Sequence, residues 1–126
     1  MKHNVWPLFS SPLFSIETGL EKNELNKLET KLKKEKTIHS PINKISENPE
    51  KNNFHTGVEG VLQKEKYEVL KDVVVRSIKL INDNYFKYKT NFIINNSWVA
   101  RASPKSSCTI HRHQNCFLSG RRLWRH

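Results

Sequence analysis

His111 and His113 stand two residues apart in the stretch CTIHRHQNCFLSG, residues 108–120. On a β-strand both side chains leave the same face, so two imidazoles could meet one metal ion. Redox-active iron takes ligands of this kind in a facial arrangement, with open positions left for substrate and oxygen. A rival chemistry uses the same residues. Cys108, His111, His113 and Cys116 follow the pattern Cys-x-x-His-x-His-x-x-Cys, and all four are good zinc ligands. Strand alternation, however, sends the two histidines to one face and the two cysteines to the other. A tetrahedral site would then require the chain to fold back sharply. The plain alternative to both is a pair of surface histidines on a basic strand.

Such a strand must be positioned by the elements before it. Residues 5–16 read as one extended segment, apolar at Trp6, Leu8, Phe9, Leu13, Phe14 and Ile16, with Pro7 and Pro12 opposing helix. Leu25, Leu28 and Leu32 follow helical spacing and predict a helix over 20–36, with Thr18 or Asn23 as its cap. Residues 37–57 are rich in Asn, Ser, Lys and Pro and predict a flexible loop. A second helix is expected over 61–84, where Tyr67, Leu70, Val74, Ile78, Ile81 and Tyr85 form an apolar stripe. Then the period changes to two. Phe92, Ile94, Asn96, Trp98 and Ala100 alternate with Ile93, Asn95, Ser97, Val99 and Arg101, which predicts a strand over 91–100. A turn at 103–107 and a second strand over 111–118 should follow.

Composition limits the core. Only 36% of the 126 residues are hydrophobic and 27% are charged, so a modest core with looser segments is expected. The formal charge of +10 invites an anionic partner such as nucleic acid. Its distribution weakens that reading: Lys31, Lys33, Lys34 and Lys36 are interleaved with Glu29 and Glu35, as on a solvated helix face. Only the end is free of acids, with Arg101, Lys105, Arg112, Arg121, Arg122 and Arg125. Two cysteines are too few for a disulfide scaffold and fit a reducing compartment. The start lacks the apolar run of a signal peptide, and no stretch approaches the roughly 18 apolar residues of a membrane span. The expectation is a cytoplasmic protein (host cytoplasm if phage-encoded) without a membrane partner.

The segment NSWVARASPKSSCTIHRHQNCFLSG resembles the core of the 2-oxoglutarate/Fe(II) oxygenases common in marine phages and bacteria. That family has a strand ending in Ser-Trp-Val, then His-x-His, then Asn-Ser, a hydrophobic pair and Ser-Gly. Ser97, Trp98 and Val99 match the first element, and His111 and His113 the second. Asn115, Phe117, Leu118, Ser119 and Gly120 match the third, with Cys116 where serine is usual. The opening WPLFSSPLFSIE is similar to the family's start. The resemblance implies an α+β fold: N-terminal helices followed by the first strands of an incomplete double-stranded β-helix, a jelly-roll-like barrel. It implies Fe(II) and 2-oxoglutarate as cofactors and His111 and His113 as metal ligands. His111 is the firmer of the two, because the wider superfamily has His-x-Asp or His-x-Glu there. It assigns neither a catalytic residue nor the oxidised substrate. It also accounts for the cysteines without zinc, Cys116 replacing a serine of similar size.

The chain departs from the family after Gly120. The family continues with Val-Tyr-Tyr and an apolar strand, and later brings a further histidine and a basic residue for 2-oxoglutarate. Here the sequence reads RRLWRH. Those residues can be encoded CGT CGT TTA TGG AGG CAT, which one base later reads Val-Val-Tyr-Gly-Gly. The expectation is therefore an oxygenase fragment over 1–120 and an out-of-frame basic tail over 121–126, testable by reading the gene downstream of codon 120 in all three frames. Such a fragment should bind Fe(II) weakly and leave 2-oxoglutarate unconverted, with His126 only a formal third ligand. Its open sheet edges invite association. The alternatives are a basic nucleic-acid-binding fragment and a small zinc module using Cys108, His111, His113 and Cys116.

Overall fold

The computed structural model describes residues 1–8, 11–39, 54–57, 59–103, 106, 113 and 116–121. Those residues form a mixed α+β fold of two α-helices and two small antiparallel sheets, with no closed barrel among them. The chain divides into two compact units, Met1–Leu28 with Leu62–Ile94, and Glu29–Val61 with Asn95–His126.

The first unit opens with a hairpin of β1 (His3–Leu8) and β2 (Ser11–Ile16), paired from His3·Ile16 to Leu8·Ser11. The expectation of one extended segment is thus corrected to two strands that reverse on each other. The prolines explain how the pairing survives. Glu17 N–H donates to the Lys2 carbonyl, and bonded and non-bonded pairs alternate along an antiparallel ladder. Pro7 and Pro12 are paired with each other, an odd number of steps away, at a position that requires no N–H. Helix α1 (Lys22–Lys33) follows. Neither Thr18 nor Asn23 caps it. The Thr18 hydroxyl accepts from Leu20 N–H ahead of the helix, while the Glu24 carboxylate accepts from Glu21 N–H at 3.0 Å. That is half of a capping box. Leu28 is buried.

Helix α2 (Glu68–Ile81) is shorter than the 61–84 expected. Two single 3-10 turns, Val61–Gln63 and Glu65–Tyr67, precede it, and a π-helical turn, Asn82–Phe86, follows it. Leu62, Tyr67, Leu70 and Val73 are buried, Tyr67 completely. Each such side chain contributes about 1.5–3 kcal/mol by leaving water. The stripe is therefore correct at Tyr67 and Leu70, but its far end, Tyr85, is 48% exposed. Tyr85 instead meets Phe14 edge-on, ring centroids 5.1 Å apart, and Phe86 packs on both. Asn82 closes the end of this unit's helix. Its amide donates to the Tyr88 carbonyl and accepts from Tyr88 N–H, both at 3.0 Å. Lys87 sits between them in the left-handed region at φ 57°, where glycine or asparagine is usual.

The second unit holds a three-stranded sheet of β3 (Thr37–His39), β4 (Phe54–Gly57) and β5 (Ala100–Ala102), with β4 central. The loop expected over 37–57 is corrected at both ends, where β-branched Thr37, Ile38 and Thr56 favour pairing. Its middle, residues 40–53, lies outside the described residues. The strand expected over 91–100 is also corrected: only Ala100–Ala102 is paired as a strand. The cause is a slip of phase. Phe92 and Ile94 face inward, Asn95 and Asn96 are both exposed, and Ser97, Val99 and Arg101 then take the inward positions. The Asn96 side chain accepts from Ser97 N–H at 2.7 Å, a local bond that competes with sheet pairing. Beyond the slip, the Ser97 carbonyl takes Gly60 and Val61 N–H, and the Val99 carbonyl takes Gly57 N–H. Gly60, at φ +78°, makes the turn that allows this. Of the strand expected over 111–118, the described residues, His113 and 116–118, have no strand pairing, and the others lie outside the described residues.

Candidate functional site

Of the expected metal pair, His113 is described and His111 is not. His113 is exposed, and its ring lies 5.3 Å from that of Trp98 at 36°. Trp98 belongs to the segment beyond the phase slip, whose backbone is tied down on either side by the Ser97 and Val99 carbonyls. The slip turns Trp98 outward, 41% exposed, where a strand in unbroken phase would have placed it with Phe92 and Ile94. Thus the Ser-Trp-Val element and the His-x-His element, fifteen residues apart between Trp98 and His113, meet through these two rings.

Of the four residues of the zinc alternative, Cys116 is also described. It is a free, exposed thiol, and its Sγ donates to the Leu118 carbonyl. Cys108 lies outside the described residues. Among the described residues no three His, Cys, Asp or Glu side chains gather as they would around a metal ion. The described donors therefore fall short of a three-ligand iron site.

Arg101 has a role that sequence reasoning missed. Its Nη2 donates to the carbonyls of Leu32 and Glu35, both at 2.9 Å, and to that of Lys33. Leu32 and Lys33 belong to the last turn of α1 and Glu35 lies just beyond it, where carbonyls run short of partners within the helix. A guanidinium there also meets the negative end of the helix dipole. Arg101 thus leaves the group of terminal arginines on which a nucleic-acid reading would rest. On the sheet, Arg101 is opposite His55, which is opposite His39 along the backbone register. A cleft of about 300 Å³ opens there, lined by Thr37, His55, Arg101, Ala102 and Ser103. The alternation of Arg101 with Ala100 and Ala102 was the only signal of an inward arginine.

Comparison with protein-family models, with curated proteins and with solved structures finds no match to this chain. No helix among the described residues is long and apolar enough to cross a membrane.

Proposed function

We propose that this chain carries the first part of a 2-oxoglutarate/Fe(II)-dependent oxygenase, with His111 and His113 as iron ligands. The observation that carries the reading is the order and spacing of Ser97-Trp98-Val99, His111-x-His113 and Phe117-Leu118-Ser119-Gly120. The packing of Trp98 against His113 supports it, because it draws together two elements that the family reading treats as one site. In that reading β3–β5 are early strands of a double-stranded β-helix, and their neighbours along the chain complete the sheet. Iron with 2-oxoglutarate supplies oxidative decarboxylation coupled to hydroxylation of a second substrate. The chain's own part is to present two imidazoles from one short segment, with the Trp98 ring limiting how His113 turns.

Anaerobic calorimetric titration with Fe(II) tests this. His111→Ala and His113→Ala should each weaken binding by more than about tenfold, since even groups that merely orient metal ligands reach that scale. Trp98→Ala should weaken it less, and Trp98→Phe less again. Unchanged Fe(II) affinity in the double histidine variant would overturn the assignment. The 126-residue chain should form no succinate from 2-oxoglutarate, whereas a chain extended through the restored downstream frame should form it and lose that activity on His111→Ala.

A further inference from the structure

The cleft on the three-stranded sheet is separate in its residues from the proposed iron ligands, and its chemistry is uniform. Thr37 and Ser103 bring hydroxyls, His55 an imidazole and Arg101 a guanidinium, while Ala102 is apolar. No carboxylate is among the described residues that line it. The register explains the convergence. His55 is directly opposite Arg101, so the two share a face of the sheet. Thr37 is two residues from His39, the partner of His55 on the other side, and two-residue steps keep to one face. We propose that this cleft binds a phosphate group.

Arg101 is prepared for that role by its second set of bonds. All its described hydrogen bonds run through Nη2, to the end of α1. Among the described residues nothing takes the N–H groups of Nε and Nη1, which are open to a ligand on a side chain whose rotamer is already fixed. A prepositioned fork loses little freedom on binding. The arrangement suits phosphate better than carboxylate. Donors come from β3, from β4 and from the end of β5, on several sides, as a tetrahedral group with three terminal oxygens requires. A carboxylate offers two coplanar oxygens, best met by a single fork. The helix carbonyls take up part of the guanidinium's charge, so one phosphate group should bind with a Kd on the order of 1 mM. The volume leaves room for a small organic body on the phosphate.

The test is a titration of the full chain, followed by backbone amide chemical shifts, with inorganic phosphate in one arm, glycerol phosphate in a second and succinate in a third. Saturable shifts centred on Thr37, His55, Arg101 and Ser103 are expected with phosphate. Tighter binding of glycerol phosphate would identify an organic phosphate as the ligand, and equal binding would identify the free ion. Arg101→Lys also removes the bonds to α1, so the informative variants are Thr37→Val and His55→Gln. Each should weaken phosphate binding about fivefold while leaving the spectrum folded, as expected for one hydrogen bond. Succinate binding as tightly as phosphate would overturn the proposal. So would unsaturable shifts spread over the lysines of α1, the signature of an adventitious ion only.

Discussion

Helices α1 and α2 face the same problem at their C-terminal ends and solve it in different ways. The last carbonyls of any α-helix lack partners within it. At the end of α2 the chain supplies them from close by: the helix widens into the π turn at Asn82–Phe86, Lys87 turns left-handed, and the Asn82 side chain holds Tyr88. At the end of α1, Lys34 and Glu35 N–H reach the Lys31 and Leu32 carbonyls, and the side-chain donor comes from a residue 66 to 69 positions further on, Arg101. The first solution is complete within seven residues of sequence. The second exists only when β5 has joined β4. The difference teaches that α2 is secured by its own surroundings, whereas the end of α1 reports on whether the second unit has formed.

Substitutions should expose that difference, and the largest effect lies at the other end of α2. Tyr67 is fully buried where the 3-10 turn becomes helix. Tyr67→Ala should cost about 3–5 kcal/mol, the usual result of emptying a buried aromatic site, read by urea denaturation. A loss under about 1 kcal/mol would mean that α2 is less dependent on its own core than described.

Removing the distant cap should be the next most harmful change. Arg101→Ala strips two carbonyls of α1 and that of Glu35 just beyond it of a charged donor, and should cost about 1–3 kcal/mol. Amide exchange should accelerate over 33–35 and at the β4–β5 pairing together, while the amides of α2 keep their protection. Acceleration confined to α1 would break the link between that helix end and the sheet.

The local cap should fail locally. Asn82→Ala removes two hydrogen bonds to Tyr88 and should cost about 1–2 kcal/mol, with faster exchange limited to 83–88. Lys87→Gly should act in the opposite direction. A lysine at φ 57° is strained, and glycine there should raise stability by about 0.5–1 kcal/mol. A small rise in the thermal midpoint checks it, and a fall would mean that the Lys87 side chain contributes contacts of its own.

Elements that depend on near neighbours were legible in the sequence. Leu28 and Leu32 in α1, Tyr67 at the start of α2 and Leu70 within it are buried as their spacing predicts, because helical period reports directly on one face. Val73 was missed because the π turn changes the phase after Ile81, and a stripe drawn through to Tyr85 pulls the predicted face away from it. Features set by distant partners were not legible. Alternation across 91–101 looks continuous, yet Asn95 and Asn96 shift its phase, and no propensity marks which of two polar residues in a row will do that. The hairpin of β1 and β2 was hidden because its two prolines read as opposing regular structure until they are seen to face one another. The candidate iron pair was visible as a spacing, whereas the contact of His113 with Trp98 and the cleft around Arg101 depend on pairings no local pattern encodes.

The reach of Arg101 also sets an order of events during synthesis. Helix α1 leaves the ribosome well before Arg101 is translated, and chains emerge at about 5–20 residues per second. For several seconds the end of α1 lacks the charged donor that Arg101 brings to the Leu32, Lys33 and Glu35 carbonyls. A nascent chain arrested short of residue 101 should therefore hold a frayed helix end and a β4 edge without its β5 partner, open to chaperones or to other chains, and the strand that carries Arg101 closes both at once.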